Sequence, residues 1–380
     1  MSSRSSQSQS HDQSFKWQSA EQNTPKSHIP FIYKFITNWL ITDPDILPTP
    51  DDDHLKPRRN YQVQNYKDMK YIYIFGGRGH IVKQKPINIV TFLAILVPGI
   101  LYFIFESKWI WHHLSPALPI LTAYFWLLSL LFFIKASSSD PGQLPRNIHL
   151  PSLPNPQTHK IENPPSEYFN SIKLPYHNDD KIGVTVRYCP TCHIWKPPRT
   201  SHCSTCNVCV KIQDHHCAFL NNCVGYRNYH YFLWLIFSIN VTCIIVTIQC
   251  FMHVFHYRSM SQSSDVHTFY QSISKYPVAF LLAIWSILGL EFPLMLMVLH
   301  LYLTSQNITT REFLNYVVGK HQPGFVNVFE SKSIFHNLYI NWISRPRGNL
   351  VVAPTDIYDK DDIRYQHIEP LQSFEMETTT

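Results

Sequence analysis

Four long apolar blocks interrupt an otherwise polar chain, and they set the expected architecture. Ile87 to Phe105 is nineteen residues without a charge. At about 1.5 Å per residue it nearly spans a hydrocarbon core of about 30 Å. Pro98-Gly99 inside it would damage a soluble helix, but membrane helices tolerate such breaks. Ala117 to Ile134 is a second uncharged block, and the short connection Glu106–Pro116 carries Trp109 and Trp111, as an interfacial aromatic belt does. The two blocks predict a helical hairpin. Phe232 to Phe251 is the third, its most polar groups being Asn240 and Gln249. Val278 to Leu303 is the fourth, long enough to tilt. Glu291, two residues before Pro293, lies in its middle, and a carboxylate is costly in lipid, so it is expected to face protein or a cavity. Buried helices of a large soluble protein are the competing reading. Four near-span blocks with a single carboxylate among them are too many for it.

An even number of spans leaves both ends and the long segment 135–229 on one side. Lys and Arg choose the side. The loop after span one has only Lys108, and the loop after span three has Arg258 and Lys275. The other side has Lys83, Lys85, Lys135, Arg227 and Arg311 flanking the spans, so it is cytosolic by the positive-inside rule. The expected fold is therefore an all-α polytopic membrane protein: four transmembrane helices with a cytosolic cysteine-rich domain between the second and third.

The remaining pattern divides the chain further. Residues 1–53 read as a disordered tail and linker: Ser and Gln rich to about residue 28, then a short apolar stretch Phe31–Ile41 suggesting a surface helix, then Pro48, Pro50 and Asp51–Asp53. The first thirty residues lack the apolar core of a secretory signal, so membrane entry is expected to rely on the first span. Within the pre-membrane segment 54–86, Lys70–Phe75 reads as a strand that stops at a Gly76-Gly77 turn. The units that follow are spans at 87–134, a hydrophilic segment at 135–229 with the cysteine-rich part at about 187–229, and spans at 232–303. A cytosolic segment at 304–350 and a polar tail at 351–380 complete the chain.

Charge adds little. Charged residues are 15% of the chain, against about 25% in soluble domains, and the net charge of +6 is too small to argue for nucleic acid.

Cysteines add much more. Seven of nine fall between Cys189 and Cys223. Cys189-x2-Cys192 and Cys203-x2-Cys206-x2-Cys209, with His202, His215 and His216 interleaved, form a strong zinc signal. Two closed sites need eight donors. Seven cysteines with His202 would supply them, and adding the other histidines overshoots, so spacing alone leaves the ligand sets open. The run Asp214-His215-His216-Cys217 is the discriminating element. If Cys217 is a ligand, the region is purely structural. If it is free, then thiol, base and carboxylate stand together as the parts of an activated nucleophile.

At these residues the chain resembles the DHHC-type, cysteine-rich protein S-acyltransferases. The likeness rests on Lys196-Pro197-x-Arg199-x2-His202-Cys203, Asp214-His215-His216-Cys217, Asn221-Asn222-Cys223-Val224-Gly225 and Arg227-Asn228-Tyr229. Asp140-Pro141-Gly142 after span two and Thr309-Thr310-Arg311-Glu312 after span four add to it. The resemblance implies two structural Zn2+ sites, one of Cys189, Cys192, His202 and Cys209, the other of Cys203, Cys206, His216 and Cys223. It implies Cys217 as nucleophile, His215 as base and Asp214 as its orienting acid, with Thr310 near Asp214. It further implies palmitoyl-CoA as acyl donor, its phosphates near Lys196, Arg199 and Lys211, and membrane lipids around the spans. Tyr73–Arg78, Thr309–Phe313 and Ser344–Gly348 resemble the Ras-palmitoylating branch of the family known from yeast. That implies prenylated Ras-type substrates, a small accessory subunit and the endoplasmic reticulum membrane. One departure stands out: Ala218-Phe219 follows Cys217 where the family usually has Pro-Trp, so a slightly altered loop is expected.

Overall fold

The computed structural model describes residues 41–42, 70–75, 79–144, 153–154, 161–162, 171–176, 179–192, 194–256, 268–318, 327, 329, 331 and 333–344. The expected N-terminal tail and linker apart from residues 41–42, the Gly76-Gly77 turn and the tail at 351–380 lie outside the described residues.

Among the described residues, four helices are long and apolar enough to cross a membrane. Helix α1 (Ile87–Leu101) runs through a π-turn (Tyr102–Glu106) into α2 (Ser107–His113), giving one 27-residue span. Helix α3 (Ala117–Ser138), α4 (Tyr229–Val254) and α6 (Pro277–Ser305) are the others, and the short α5 (Phe269–Lys275) leads into the last. The connection Glu106–Pro116 is thus mostly helical, with Leu114–Pro116 left between α2 and α3. Close approach of the first two spans depends on Gly99. A Cβ there would lie 2.1 Å from Trp126 Nε1, and that indole N–H donates to the Ile95 carbonyl at 3.0 Å.

The polar groups between the spans are bonded to one another, as groups without water must be. Gln249 bonds Tyr102 and donates to Thr122 Oγ1 at 3.0 Å. Asn240 donates to the Pro293 carbonyl at 3.0 Å, and Glu106 meets His253 Nδ1 at 2.6 Å. Glu291 departs from expectation. It is exposed on the outward face of α6 among Leu288, Met295 and Val298, not turned into the bundle. Ala279, Leu282, Ser286, Met297 and His300 set the inward stripe of that helix, and position 291 falls almost opposite to it at 100° per residue.

The all-α expectation holds for the membrane part, whereas the hydrophilic segments are built from short antiparallel strands. Before the spans, β1 (Ile41–Thr42), β2 (Tyr71–Ile74) and β3 (Gly79–Val82) form one sheet. The strand expected at Lys70–Phe75 is β2, whereas Ile41, expected to end a helix, lies in a strand. After α3 come β4 (Gln143–Leu144), the pair β5 (Leu153–Pro154) and β6 (Ile161–Glu162), and the sheet β7 (Ser171–Tyr176), β8 (Asp179–Cys189), β9 (Ile194–Trp195). Then β10 (Ser201–Cys203) and β11 (Val208–Val210) join β4, and β12 (His215–Cys217) pairs with β13 (Asn222–Val224).

Beyond α6, α7 (Thr310–Glu312) opens a short segment, and α8 (Ile334–Trp342) returns to the bundle. Trp234 Nε1 donates to the Trp342 carbonyl at 2.9 Å, and Asn337 Nδ2 to the Ser305 carbonyl at 2.8 Å. Phe133, Leu220, Val224, Phe232, Leu233, Ile236 and Met297 form one buried apolar cluster, with Cys217 partly buried against it. The cysteine-rich domain is therefore seated on the ends of the spans through the residues around Cys217.

Candidate active site and metal centres

Two four-donor clusters organise the cysteine-rich domain: Cys189, Cys192, His202, Cys209, and Cys203, Cys206, His216, Cys223. Strand alternation interleaves them. Successive side chains of a strand point to opposite faces, so His202 on β10 enters the first cluster and its neighbour Cys203 the second. The ladders complete each set, because His202 lies opposite Cys209 and His216 opposite Cys223. Nδ1 of His202 is 3.6, 3.4 and 3.8 Å from the sulfurs of Cys189, Cys192 and Cys209. Nδ1 of His216 is 3.7, 3.4 and 3.6 Å from those of Cys203, Cys206 and Cys223, and the Cys206 and Cys223 sulfurs are 3.6 Å apart. Bonds of about 2.3 Å to sulfur and about 2.0 Å to nitrogen, at tetrahedral angles, require donor separations of about 3.5–3.8 Å. Both clusters therefore have the chemistry and spacing to coordinate a metal ion.

The same alternation separates the two histidines of β12. His216 turns toward the second cluster, leaving His215 and Cys217 together on the opposite face. Cys217 belongs to neither cluster and is only partly buried. His215 Nδ1 donates to Asp214 Oδ2 at 2.7 Å, because an ionised carboxylate only accepts. That leaves Nε2 as the ring nitrogen that can serve Cys217, which shares its face of β12. Asp214 is buried and also accepts from the Thr310 backbone N–H at 2.8 Å and from Thr310 Oγ1 at 2.7 Å. Burial alone would raise its carboxyl, but the hydrogen bond and charge of His215, with the Thr310 N–H, take the pKa down to about 2. Burial likewise lowers the His215 ring, yet the Asp214 bond and the contact with Cys217 outweigh it and raise the pKa to about 10. The pair is thus charged at neutral pH, with the imidazolium on the same face of β12 as the Cys217 sulfur.

Other elements hold this arrangement. Ile212 takes a left-handed φ of 45°, strained for a β-branched residue, immediately before Gln213-Asp214. His300 of α6 is buried behind the pair, 2.9 Å from Tyr229 Oη and 6.2 Å ring to ring from His215. Asp140 accepts from Gly142 N and Gln143 N at 2.9 Å and pairs with Arg227. Gly142, at φ 103°, lets this turn pass beside Lys211, whose N–H donates to its carbonyl at 2.8 Å.

The three cations differ in placement. Arg199 Nε and Nη2 donate to the two Glu312 oxygens at 2.9 and 2.7 Å, and Nη2 also donates to the Asn307 carbonyl at 3.0 Å. Its guanidinium ties the cysteine-rich domain to α7. Lys211 Nζ lies 4.7 Å above the Tyr226 ring on the surface. Lys196 is partly exposed beside Arg187, to whose carbonyl its backbone N–H donates at 3.0 Å. Phe219, one of the two departing residues, is half-exposed with its ring 5.5 Å from Phe292 of α6. Sequence reasoning missed Glu312 as the partner of Arg199 and His300 near the site, and it gave Tyr229 and Asn222 as motif residues without a role. A lone histidine in an apolar span has no signal to distinguish it from a packing residue.

Residues 184–317 match the model of the DHHC palmitoyltransferase family. Palmitoyltransferase ERF2 of Debaryomyces hansenii is 53% identical over 355 residues, 93% of this chain and 95% of that one. Palmitoyltransferase ERF2 of Saccharomyces cerevisiae is 34% identical over 351 residues, 90% and 91% of the two chains. That of Candida glabrata is 39% identical over 322 residues, 82% of this chain and 91% of the relative. Likeness of this extent, on a fold whose only partly buried thiol of the cysteine-rich domain stands beside an imidazole–carboxylate pair, shows that the chain belongs to the DHHC palmitoyltransferase family and is a protein S-acyltransferase.

Proposed function

We propose that the protein transfers a palmitoyl or similar long-chain acyl group from acyl-CoA to cysteines of membrane-associated proteins through an acyl-enzyme on Cys217. The observation that carries this reading is that Cys217 lies outside both four-donor clusters and on the same face of β12 as His215. The Cys217 thiolate attacks the thioester carbonyl carbon, the carbon–sulfur bond to CoA breaks, and the CoA sulfur leaves with the proton given up by the His215 imidazolium. A substrate cysteine then gives its proton to the deprotonated His215 and attacks the acyl-enzyme, releasing Cys217 as thiolate. Asp214 holds the His215 ring in the required tautomer. Exchange of one thioester for another has little net driving force, so placement is the enzyme's main task.

Two Zn2+ ions fit the clusters by donor set and spacing, and a closed Cys3His set makes them structural. The residues do the rest of the work. Cys217 sits where the cysteine-rich domain meets the span cluster, which suits an acyl chain lying among the spans, each buried methylene adding about 0.8 kcal/mol. Lys196 and Lys211 are the cations left for CoA phosphates, since Arg199 is held by Glu312. Relatives named ERF2 support Ras-type prenylated substrates at the endoplasmic reticulum membrane, while the small accessory subunit rests on the resemblance of the branch-specific motifs alone.

The test is direct. Purified protein given labelled palmitoyl-CoA should form a hydroxylamine-sensitive adduct that Cys217→Ser lacks. An adduct that persists in that variant overturns the assignment. Adding a co-expressed accessory subunit should raise the adduct's yield or lifetime, and an unchanged value removes the subunit from the reading.

A further inference from the structure

The strand that carries Cys217 is three residues long, and a ladder that short needs anchors elsewhere. Its partner opposite Cys217 is Asn222, which is fully buried. Asn222 Nδ2 donates to the Ala136 carbonyl at 3.1 Å and the Ser139 carbonyl at 2.9 Å, both at the cytosolic end of the second span. With both amide hydrogens so used, the orientation of the amide is set and Oδ1 faces the N-terminal hairpin. There His80 Nε2 lies 3.1 Å away. An amide oxygen only accepts, so Nε2 carries the hydrogen and the tautomer follows.

His80 is itself fully buried, edge-on to Tyr71 at 4.5 Å between centroids. The hairpin is fastened on both sides of this bond. Asn221 Nδ2 donates to the Val82 carbonyl at 3.0 Å, and Gln84 Nε2 to the Thr205 carbonyl at 3.3 Å. Tyr71 and Val82 pack against Cys203, Cys206 and Cys223 of the second cluster. These residues of β2 and β3 lie outside the stretch 184–317 that matches the family model.

We infer that His80 is a positioning residue for acyl transfer: its Nε2–H holds Asn222, and through the β12–β13 ladder it sets where the Cys217 thiol lies relative to His215. The inference rests on Cys217 being the acyl carrier. Without the His80 donor, a buried amide oxygen has lost its partner. Asn222 then has a reason to turn, and turning releases the two carbonyls that fix it to the second span. A misplacement of about 1 Å at a reacting group costs up to about a hundredfold in rate.

Two variants of the full-length protein separate positioning from folding. His80→Phe keeps a ring against Tyr71 and removes the donor. His80→Gln places an amide N–H where Nε2 stood. His80→Phe should slow formation of the thioester adduct about tenfold, the effect of ~1.4 kcal/mol on a barrier. The fall should be in kcat, with the KM for palmitoyl-CoA and the metal content per chain unchanged. His80→Gln should recover most of the rate, and His80→Phe should add nothing to Asn222→Ala. If His80→Phe lowers metal content while the rate per metal-loaded molecule stays at the wild-type value, His80 is only structural and the inference fails. Equal slowing by His80→Phe and His80→Gln also overturns it, because packing and not the donor would then matter. An adduct retained by Cys217→Ser refutes the underlying reading instead, so the two failures are distinguishable.

Discussion

Glu312→Ala cuts the ion pair that holds the segment after the fourth span against the cysteine-rich domain. The Arg199 and Glu312 side chains are only 9% and 15% exposed, and their two charge-assisted bonds are bidentate. Removing one partner leaves a largely buried guanidinium with the Asn307 carbonyl alone. Breaking such a pair costs about 3–5 kcal/mol, and ~3 kcal/mol shifts an equilibrium roughly a hundredfold at ~1.4 kcal/mol per decade. Glu312 also closes a capping box with Thr309, accepting from its N–H at 2.8 Å, so α7 loses that half of the box while the bond from the residue 312 N–H to Thr309 Oγ1 stays. Undocking of α7 takes Thr310 away from Asp214, which removes two of the three hydrogen bonds described on that carboxylate. Hydrogen exchange at residues 309–314 reports docking, and adduct formation reports chemistry. Glu312→Ala should raise exchange and slow the adduct together. Glu312→Gln, which keeps an acceptor for the cap but loses the charge, should fall between. A double-mutant cycle with Arg199→Ala should show strong non-additivity. Unchanged exchange and rate in Glu312→Ala, or additive single effects, would mean that Arg199 and Glu312 do not couple the two segments.

Four further outcomes follow from the same geometry. Thr310→Ala removes one of the three bonds to Asp214, so adduct formation should slow about threefold to tenfold, with Thr310→Ser restoring it in a stopped-flow assay. The Asp214–His215 pair fixes the sign of the pH dependence. The raised His215 pKa of about 10 gives stability that is complete below the ordinary value of 6.5 and is lost as pH rises through 10. The thermal midpoint of wild type relative to His215→Gln should therefore decline across that window, and a flat difference would contradict it. Asp214 behaves oppositely: its contribution is present above the usual carboxylate value and is lost as pH falls toward 2. Gly99→Val should destabilise the first two spans in detergent, because its β-carbon meets Trp126 at 2.1 Å; an unchanged melting curve refutes that contact. Chelation should unfold β10–β13 as one unit, since one strand donates to both clusters, and stepwise loss read by exchange would show that the sites fold separately.

Much of this was legible in the sequence because it rests on composition. Four runs such as Ala117–Ile134 in one chain leave little alternative to spans, and Cys-x2-Cys knuckles have few alternatives to a metal site. What was not legible depends on facing. No spacing rule says that His202 and Cys203, adjacent in sequence, serve different clusters. That follows once β10 is a strand, and short strands pinned by turns at Asn207 and Asn221 have weak periodicity. Glu291 shows the same limit in a helix. Its cost in lipid argued for an inward position, but Ala279, Ser286 and His300 claim the inward stripe, and rotational phase overrides the preference of one residue. Arg199 was read as a phosphate ligand because a basic residue near a candidate site suggests one. Its partner lies 113 positions away, beyond the fourth span, where no local pattern could indicate it.

The contacts from Thr310 to Asp214 and from Glu312 to Arg199 bear on how the protein is made. The cysteine-rich domain, Cys217 included, is translated before the fourth span. The groups that hold Asp214 from the far side do not yet exist. The order of elements therefore delays two of the three bonds to Asp214 until residue 310 has emerged, after the last span has been made. A chain released after residue 306 should carry both metals and yet label slowly at Cys217, and rapid labelling of that nascent form would show that the delay is not built in.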